Sequence, residues 1–265
     1  MTLLEDKIAI VTGSAGGLGE GIARRMAAEG ATVICADLAD AGPVADSLPA
    51  VDDGPGHCAV RIDVTDKDAF ESVIADAVSD YGRLDVLCNN AGTYDSQPIV
   101  EATDESFRRQ FEINAWSTFV GCRAAGRIMR AQGSGRLINT ASQLAKIARP
   151  GSGVYAGSKA AVIMMTQALA LELGPHGVTA NCICPGTMHT RMMTDEKGRP
   201  ADDVAAELGV DVDTAFRGYI DAHIPVGRLG RPTDIGAVAA FLASDDAAFI
   251  TGSALNVTGG EQVFW

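Results

Sequence analysis

The amino-acid sequence predicts an α/β fold in which helices cover both faces of a doubly wound, parallel, seven-stranded sheet. Short β-branched runs alternate with longer amphipathic stretches along the whole chain, which is typical of successive strand–helix–strand units. Several short runs are almost continuously apolar, as expected for strands that are covered on both sides. Residues 1–265 are therefore predicted to form a single domain.

Seven apolar runs and five amphipathic stretches define the predicted elements. The predicted strands cover residues 7–12, 32–37, 57–62, 84–88, 136–140, 178–183 and 254–257. The predicted helices cover residues 18–29, 66–80, 104–131, 155–173 and 233–243. Residues 187–222 interrupt the alternation, so this excursion either covers a binding site or forms a plain surface insertion.

The charge balance argues against nucleic acid as a partner, because a formal net charge of −13 repels phosphate over most of the surface. No apolar run reaches the roughly 20 residues of a membrane-spanning helix, and the first residues show no signal-type pattern, so a cytoplasmic protein without a membrane partner is expected. The cysteines lie mostly in apolar runs without a metal-binding spacing, which predicts buried, reduced thiols and no metal site. They are Cys35, Cys58, Cys88, Cys122, Cys182 and Cys184.

A glycine-rich segment, Thr-Gly-Ser-Ala-Gly-Gly-Leu-Gly at residues 12–19, joins the first predicted strand to the first predicted helix. Glycines at such a junction permit a tight turn, so that a pyrophosphate can rest against free N–H groups at the helix N-terminus. A purely structural turn is the alternative. The strand–turn–helix context favours a Rossmann-type dinucleotide-binding domain. Its cofactor-binding candidates here are Gly13, Ser14, Gly17, Leu18 and Gly19.

Asp37 ends the second predicted strand, twenty residues after Gly17. A carboxylate there can accept hydrogen bonds from the adenosine ribose hydroxyls, and it would repel a 2′-phosphate. Neither Leu38 nor the glycine-rich segment supplies a cation for that phosphate, so the sequence predicts NAD as the cofactor. The alternative for Asp37 is a solvated turn residue.

Two more strand ends carry cofactor candidates. Asp63 and Val64 follow the third predicted strand and suit the adenine, although Asp63 could equally cap the helix that begins near Asp66. The small residues of Asn90-Ala91-Gly92 follow the fourth strand and would let the chain pass close to the cofactor.

Tyr155 and Lys159 are four positions apart in a helical pattern, so both side chains project from one helix face. An adjacent ammonium stabilises a phenolate and lowers its pKa, which would let Tyr155 exchange a proton with a substrate oxygen. Ser142, just past the fifth strand, can donate to the same oxygen. Each residue has a structural alternative when taken alone, and Asn114 could be a mere helix irregularity.

Together these motifs resemble the short-chain dehydrogenase/reductase family over essentially the whole chain. The motifs are Thr-Gly-x-x-x-Gly-x-Gly, Asn-Asn-Ala-Gly, Asn114, Ser142, Tyr155-x-x-x-Lys159, Pro185-Gly186 and the final Val-Thr-Gly-Gly. The resemblance implies that Tyr155 is the acid/base and that Lys159 binds the nicotinamide ribose and lowers the pKa of Tyr155. It also implies that Ser142 orients the substrate and that Asn114 supports a proton relay.

The resemblance further implies the remaining cofactor contacts and the assembly. Pro185, Gly186 and Thr190 would surround the carboxamide end, and the aspartate at position 37 implies NAD. Thr140 and Met188 complete the cofactor-binding candidates. A homotetramer is expected.

The predicted reaction is hydride transfer between NAD and a secondary alcohol or ketone. Residues 218–225 and the end of the chain look like sorbitol-6-phosphate dehydrogenases and acetoin or butanediol reductases, which favours a polyol or vicinal diol. The alternatives are a 3-oxoacyl or steroid/cyclic alcohol reductase on the same scaffold, and a noncatalytic NAD-binding regulator. Candidate substrate contacts are polar (Gln143, Lys146, Arg149, His189, Arg191) or apolar (Leu144, Ile147, Met188, Met192, Met193).

Overall fold

The computed structural model describes residues 2–51, 56–193 and 201–263. Seven parallel strands form one sheet in the order β3-β2-β1-β4-β5-β6-β7, which confirms the predicted fold class. The strands are β1 (Ile8–Thr12), β2 (Thr32–Asp37), β3 (Cys58–Arg61), β4 (Val86–Asn89), β5 (Gly135–Thr140), β6 (Val178–Pro185) and β7 (Ala254–Val257).

Ten α-helices accompany the sheet in the described part of the chain. They are α1 (Gly17–Ala28), α2 (Gly42–Asp46), α3 (Lys67–Tyr81), α4 (Asp104–Phe111), α5 (Ser117–Gln132), α6 (Gly153–Leu173), α7 (Ala201–Leu208), α8 (Val212–Ala215), α9 (Arg217–His223) and α10 (Pro232–Ala243). Strand β2 directly follows α1, as a βαβ unit requires. The sequence pattern did not indicate the short helices α2, α7, α8 and α9.

Alternate residues of each central strand point to opposite faces of the sheet, and each face has its own core. Ala9 and Val11 of β1 pack with α1 and α10 on one face. Ile8 and Ile10 of the same strand pack with α3 and α5 on the other. Helices therefore cover both faces, which explains why the central strands are apolar throughout.

The predicted helix 104–131 is not α-helical along its whole length. A π-helical turn, Glu112–Trp116, separates α4 from α5. The hydroxyl of Ser117 donates to the carbonyl of Ile113 at 2.6 Å, and that of Thr118 donates to the carbonyl of Asn114 at 2.9 Å, so side chains satisfy carbonyls at the irregular turn. Residues 104–131 are therefore helical as predicted, and only the π-helical turn was not foreseen, because periodicity alone does not register a one-turn change in hydrogen bonding.

Helix α6 is an exception to the expectation that no apolar run is long enough to span a membrane. Residues Gly153–His176 are long and apolar enough to cross a membrane by length and composition, with a mean hydropathy of 1.3. In the fold this segment packs beside β6, and it carries the buried Ser158 and Lys159. All six cysteines are free thiols, and only Cys58 is not fully buried, as predicted.

Candidate active site

A cavity of about 1410 Å³ opens at the carboxyl ends of the strands, at the boundary between β1 and β4. From this boundary, β2 and β3 extend the sheet in one direction and β5 to β7 extend it in the other. Parallel sheets bind their ligands at such switch points. Most of the sequence-predicted site residues line this one cavity. They are Gly13, Gly17, Leu18, Asp37, Leu38, Asp63, Val64, Asn90, Ala91, Gly92, Thr140, Ser142, Tyr155, Lys159, Pro185, Gly186, Met188 and Thr190.

The glycine-rich turn has the shape that a pyrophosphate needs. Gly13 and Gly17 have φ angles of 67° and 58°, the left-handed region that favours glycine. A Cβ on Gly13 would lie 2.9 Å from the Cα of Ala91, so the turn and the loop after β4 are in close contact. Gly16 precedes α1 without a side-chain cap, which leaves the first N–H groups of the helix available to a ligand.

Ser14 and Gly19 do not line the cavity. Ser14 is fully buried, and its hydroxyl donates to the carbonyl of Ala36 at 3.3 Å, which ties the turn to β2. A Cβ on Gly19 would collide with the carbonyl oxygen of Gly13. Both residues therefore shape the turn from behind rather than from the cavity wall.

The carboxylate of Asp37 is fixed at the adenosine end of the cavity. Its Oδ2 accepts a hydrogen bond from the backbone N–H of Ala15 at 2.9 Å, and its Oδ1 accepts from the N–H of Ala39 at 2.9 Å. The nearby guanidinium of Arg61 donates to the carbonyl of Leu38 at 3.1 Å and is not part of the cavity wall. A carboxylate held in this way can accept hydrogen bonds from the hydroxyls of a ribose.

The start of α3 shows whether Asp63 caps this helix or faces the cavity. Asp66, not Asp63, is the N-cap, and its side chain accepts from the N–H groups of Asp68 and Ala69. Asp63 instead accepts two hydrogen bonds from Thr65 at 2.7 and 2.9 Å, and it lines the cavity next to Val64. This pair lies where the adenine of a bound dinucleotide is expected.

Asn90 connects three strand ends under the centre of the cavity. Its Nδ2 donates to the carbonyl of Thr12 at 3.1 Å, and its Oδ1 accepts from the hydroxyl of Thr140 at 3.2 Å. Gly92 follows on the cavity wall, where a Cβ would lie 3.2 Å from Nζ of Lys159. Because Gly92 has no side chain, only its backbone separates this part of the loop after β4 from Lys159.

Tyr155 and Ser142 meet at the opposite end of the cavity from Asp37. The phenol of Tyr155 is hydrogen-bonded to the Ser142 side chain, and its ring packs edge-on against Tyr94 with centroids 4.9 Å apart. Burial raises the pKa of Tyr155 to about 12, and the Ser142 hydrogen bond opposes that rise. The phenol is thus a protonated group near neutral pH.

Lys159 lies fully inside the protein, one helical turn after Tyr155. Its Nζ donates to the carbonyl of Thr140 at 2.8 Å, and burial lowers the pKa of Lys159 to about 8. Desolvation is the largest influence on the pKa of both Tyr155 and Lys159, and the implied lowering of the Tyr155 pKa by Lys159 stays a prediction.

Asn114 lies behind the cavity wall rather than in it. Its Oδ1 accepts from the N–H of Thr93 at 2.8 Å, and its Nδ2 donates to the carbonyl of Thr93 and to the hydroxyl of Ser158. The side chain therefore joins the loop after β4 to α6. Its implied part in a proton relay stays a prediction.

The substrate candidates divide into two groups. Gln143, Arg149, Arg191, Leu144, Met188, Met192 and Met193 line the cavity, and Lys146, His189 and Ile147 do not. Nζ of Lys146 donates to the carbonyl of Ala254 at 2.6 Å and to Oδ1 of Asn256 at 2.7 Å, so it is a structural link to β7. His189 pairs with Asp202 at 2.9 Å.

The described part of the excursion 187–222 contributes one wall of the cavity. Phe216, Tyr219 and His223 line it, and α7, α8 and α9 form a small apolar cluster of their own. This favours the site-covering interpretation over a plain surface insertion. Sequence reasoning missed Tyr94, Tyr219 and His223, since a lone aromatic residue in a loop or irregular helix gives no periodic signal.

Glu261 holds this wall in place, a role that the sequence analysis did not predict. Its Oε1 accepts hydrogen bonds from the phenol of Tyr219 at 2.7 Å and from the hydroxyl of Thr187 at 2.9 Å. Its Oε2 accepts from the N–H of Thr187 at 2.7 Å. The end of the chain is thereby joined both to α9 and to the segment that follows β6.

A glycine-rich turn, a fixed carboxylate after β2 and a Tyr–Lys–Ser group in one cavity are the features of a dinucleotide-dependent oxidoreductase site. In agreement, a family model described as enoyl-(acyl carrier protein) reductase matches residues 13–262. The chain belongs to the short-chain dehydrogenase/reductase family, whose members use a nicotinamide cofactor, NAD(H) or NADP(H).

Individual relatives match over nearly their whole length. The chain is 38% identical to a sorbitol dehydrogenase of Cereibacter sphaeroides, over 97% of this chain and 98% of the relative. It is 37% identical to a galactitol 2-dehydrogenase of Agrobacterium fabrum, over 97% and 98%. It is 34% identical to a diacetyl reductase ((S)-acetoin forming) of Staphylococcus epidermidis, over 96% and 98%.

Proposed function

We propose that the protein is an NAD-dependent dehydrogenase that oxidises a secondary alcohol, a polyol or vicinal diol, to the ketone and catalyses the reverse reduction. The observation that carries this proposal is the shared cavity of Asp37 and the hydrogen-bonded pair Tyr155 and Ser142. The names of the three relatives, which are a sorbitol dehydrogenase, a galactitol 2-dehydrogenase and a diacetyl reductase, support the substrate class.

The side chains supply positioning and proton transfer. When bound, the nicotinamide supplies the hydride acceptor or donor next to the carbinol carbon. The hydroxyl of Ser142 donates a hydrogen bond to the substrate oxygen, and the phenol of Tyr155 exchanges a proton with the same oxygen. Lys159, held by Thr140, fixes the ribose beside them.

The high pKa of Tyr155 gives the two directions different pH dependence. A phenol with a pKa of about 12 is ready to donate a proton to a ketone oxygen at neutral pH. Alcohol oxidation needs the phenolate, so its rate is expected to rise as the pH increases. The choice of NAD over NADP is supported by the fixed carboxylate of Asp37.

A homotetramer in the cytoplasm completes the proposal. Large apolar side chains on and next to α5 and α6 are exposed, with Met164 at 65% and Leu171 at 82%. Trp116 and Phe119, at the start of α5, are exposed as well. Surfaces of this kind are typical of subunit contacts, and light scattering after size-exclusion chromatography would measure the mass.

A panel of sugar alcohols, diols and secondary alcohols, followed by NADH absorbance, tests the proposed function. Tyr155→Phe should abolish turnover and leave NADH binding nearly unchanged, because only the proton-transferring hydroxyl is removed. Tyr81→Phe is the matched control, since Tyr81 lies outside the cavity and donates only to Sγ of Cys58. A protein that binds NADH but oxidises no alcohol would be a regulator, and one faster with NADPH on 3-oxoacyl substrates would be an acyl reductase.

A further inference from the structure

Gln143 is a buried amide in the wall of the active-site cavity, directly after Ser142. Its side chain is 5% exposed, and its Oε1 has no hydrogen-bond partner among the described residues. Buried polar atoms in folded proteins almost always have a partner, so an unpartnered amide in the wall of this cavity is a candidate for binding a polar group of the substrate.

The other buried polar side chains around the cavity contrast with Gln143. Oδ1 and Nδ2 of Asn114 are used by Thr93 and Ser158, and Asn90 bonds to Thr12 and Thr140. Lys159 donates to Thr140. In the described ranges 2–51, 56–193 and 201–263, Gln143 is the one cavity-lining residue that has a buried side-chain oxygen without a hydrogen-bond partner.

Hydrogen bonds hold the backbone of Gln143 in place, whereas its side-chain amide is not held in this way. Ser142 caps a 3₁₀ turn, Gln143–Ala145, and the carbonyl of Gln143 accepts from the N–H of Lys146 at 3.0 Å. Lys146 is in turn bound to the carbonyl of Ala254 in β7. The turn therefore holds Gln143 beside Ser142, while rotation of its terminal amide can present either the oxygen or the nitrogen to a ligand.

Because Ser142 and Gln143 are neighbours in this rigid turn, their side chains would contact neighbouring groups of a bound substrate. Ser142 contacts the phenol of Tyr155 and so lies at the oxygen that reacts. We infer that the amide of Gln143 binds a second oxygen, on the carbon next to the reacting carbon, and selects vicinal diols and hydroxyketones over simple secondary alcohols. The inference rests on the proposed dehydrogenase function and names the feature of the substrate that the site recognises.

The neutral amide explains why such a site would accept both oxidation states of the neighbouring carbon. Oε1 accepts from a hydroxyl, whereas Nε2 donates to a carbonyl. A substrate without the second oxygen leaves the amide unpaired in the complex. Sites built to hydrogen-bond a substrate group discriminate strongly against analogues that lack it.

The test compares paired substrates in the wild-type protein and in Gln143→Met, which keeps the length of the side chain but removes the amide. The pairs are butane-2,3-diol with butan-2-ol, cyclohexane-1,2-diol with cyclohexanol, and the best alcohol of the panel with its analogue lacking the adjacent hydroxyl. The wild-type kcat/KM should favour the diol, and Gln143→Met should reduce that preference by about 10-fold or more. The loss should fall on the diol and leave the simple alcohol nearly unchanged.

Thr179→Val is the matched control, because Oγ1 of Thr179 is also a buried, unpartnered oxygen but lies outside the cavity. Its diol preference should equal that of the wild type. Circular dichroism and NADH titration establish that both variants are folded and bind the cofactor.

The outcomes separate the inference from the proposed function. A wild-type protein that oxidises no alcohol with NAD⁺ or NADP⁺ overturns the proposed function and the inference together. A wild-type protein with equal kcat/KM for both members of each pair overturns the inference alone, whether or not the variant folds. An equal loss on diol and simple alcohol in Gln143→Met also overturns it, since it would reveal a general structural effect.

Discussion

The ammonium of Lys159 donates a 2.8 Å hydrogen bond to the carbonyl oxygen of Thr140, at the end of β5. This bond joins α6 to the sheet at the centre of the cavity, and it places a fully buried cation where desolvation is severe. Burial lowers the pKa of Lys159 to about 8, against an ordinary value of 10.5. The catalytic group is therefore held at a cost in folding stability.

Lys159→Met is expected to abolish turnover and to stabilise the cofactor-free protein. The depressed pKa means that the folded state disfavours the charged form, a penalty of roughly 3 kcal/mol that is fully present below pH 8. As the pH rises from about 8 to 10.5, the unfolded lysine loses its proton as well and the penalty disappears. The gain in unfolding free energy of the variant should thus shrink over this window.

Urea unfolding at several pH values measures that difference. Comparing the variant with the wild type removes the contributions of the buried thiols of Cys88 and Cys122, whose pKa values are raised by burial and do not depend on Lys159. Lys67→Met, on the exposed start of α3, is the control and should show no such convergence. A gain that is constant from pH 7 to 10.5 would contradict the assignment of the pKa shift to Lys159.

The sequence predicted those features of the fold that depend on repeating patterns. Strands β2 and β7 match the predicted boundaries, and the other five differ by one to two residues at an end. Fixed spacings also located Asp37, Ser142, Tyr155 and Lys159 in the cavity. These features could be predicted because strand burial and helical spacing are local properties that short stretches of sequence report directly.

The sequence could not predict features that depend on contacts between distant segments. Glu261 reaches Tyr219 and Thr187 across 42 and 74 positions of the chain, and no local pattern records such a contact. The burial of Ser14 behind the turn depends likewise on its bond to Ala36, in the next strand. The burial that raises the pKa of Tyr155 could not be predicted either, because the spacing to Lys159 indicates proximity but not the depth of burial.

Ser142→Ala should lower kcat for alcohol oxidation by about 100- to 1,000-fold, because it removes a donor to the substrate oxygen. It should also move the rising limb of the pH profile to higher pH. The sign follows from the Ser142 hydrogen bond, which lowers the pKa of Tyr155 and is lost in the variant. Steady-state rates between pH 6 and 11 measure both effects, with Ser72→Ala on the exposed face of α3 as control. An unchanged profile would mean that Ser142 does not act on Tyr155.

Asp37→Asn should reduce the preference for NAD⁺ over NADP⁺ by about 10-fold or more, since it removes the charge that repels a 2′-phosphate. Ratios of kcat/KM for the two cofactors give the measurement. Asp40→Asn is the matched control, because Asp40 accepts from the N–H of Gly42 in the same loop but does not line the cavity. A preference that survives in Asp37→Asn would place cofactor selection elsewhere.

Glu261→Gln should weaken substrate binding more than chemistry. The carboxylate accepts three hydrogen bonds, from the phenol of Tyr219 and from the hydroxyl and N–H of Thr187, and an amide can accept at only one of its two ends. The wall formed by α9 should therefore loosen while Tyr155 and Ser142 keep their places. We expect KM for the alcohol to rise about 3- to 10-fold, with kcat changed less than 3-fold, on the scale of one lost hydrogen bond.

Initial-rate kinetics at saturating cofactor separate these two parameters. Glu5→Gln removes an exposed carboxylate near the start of the chain and should leave both unchanged. Tyr219→Phe removes one of the same hydrogen bonds from the other side, so the double variant should show less than the product of the two single effects on KM. If the two changes multiplied independently, Glu261 would not act through Tyr219, and the wall would be held by the apolar cluster of Ile220, Ile224 and Leu229 alone.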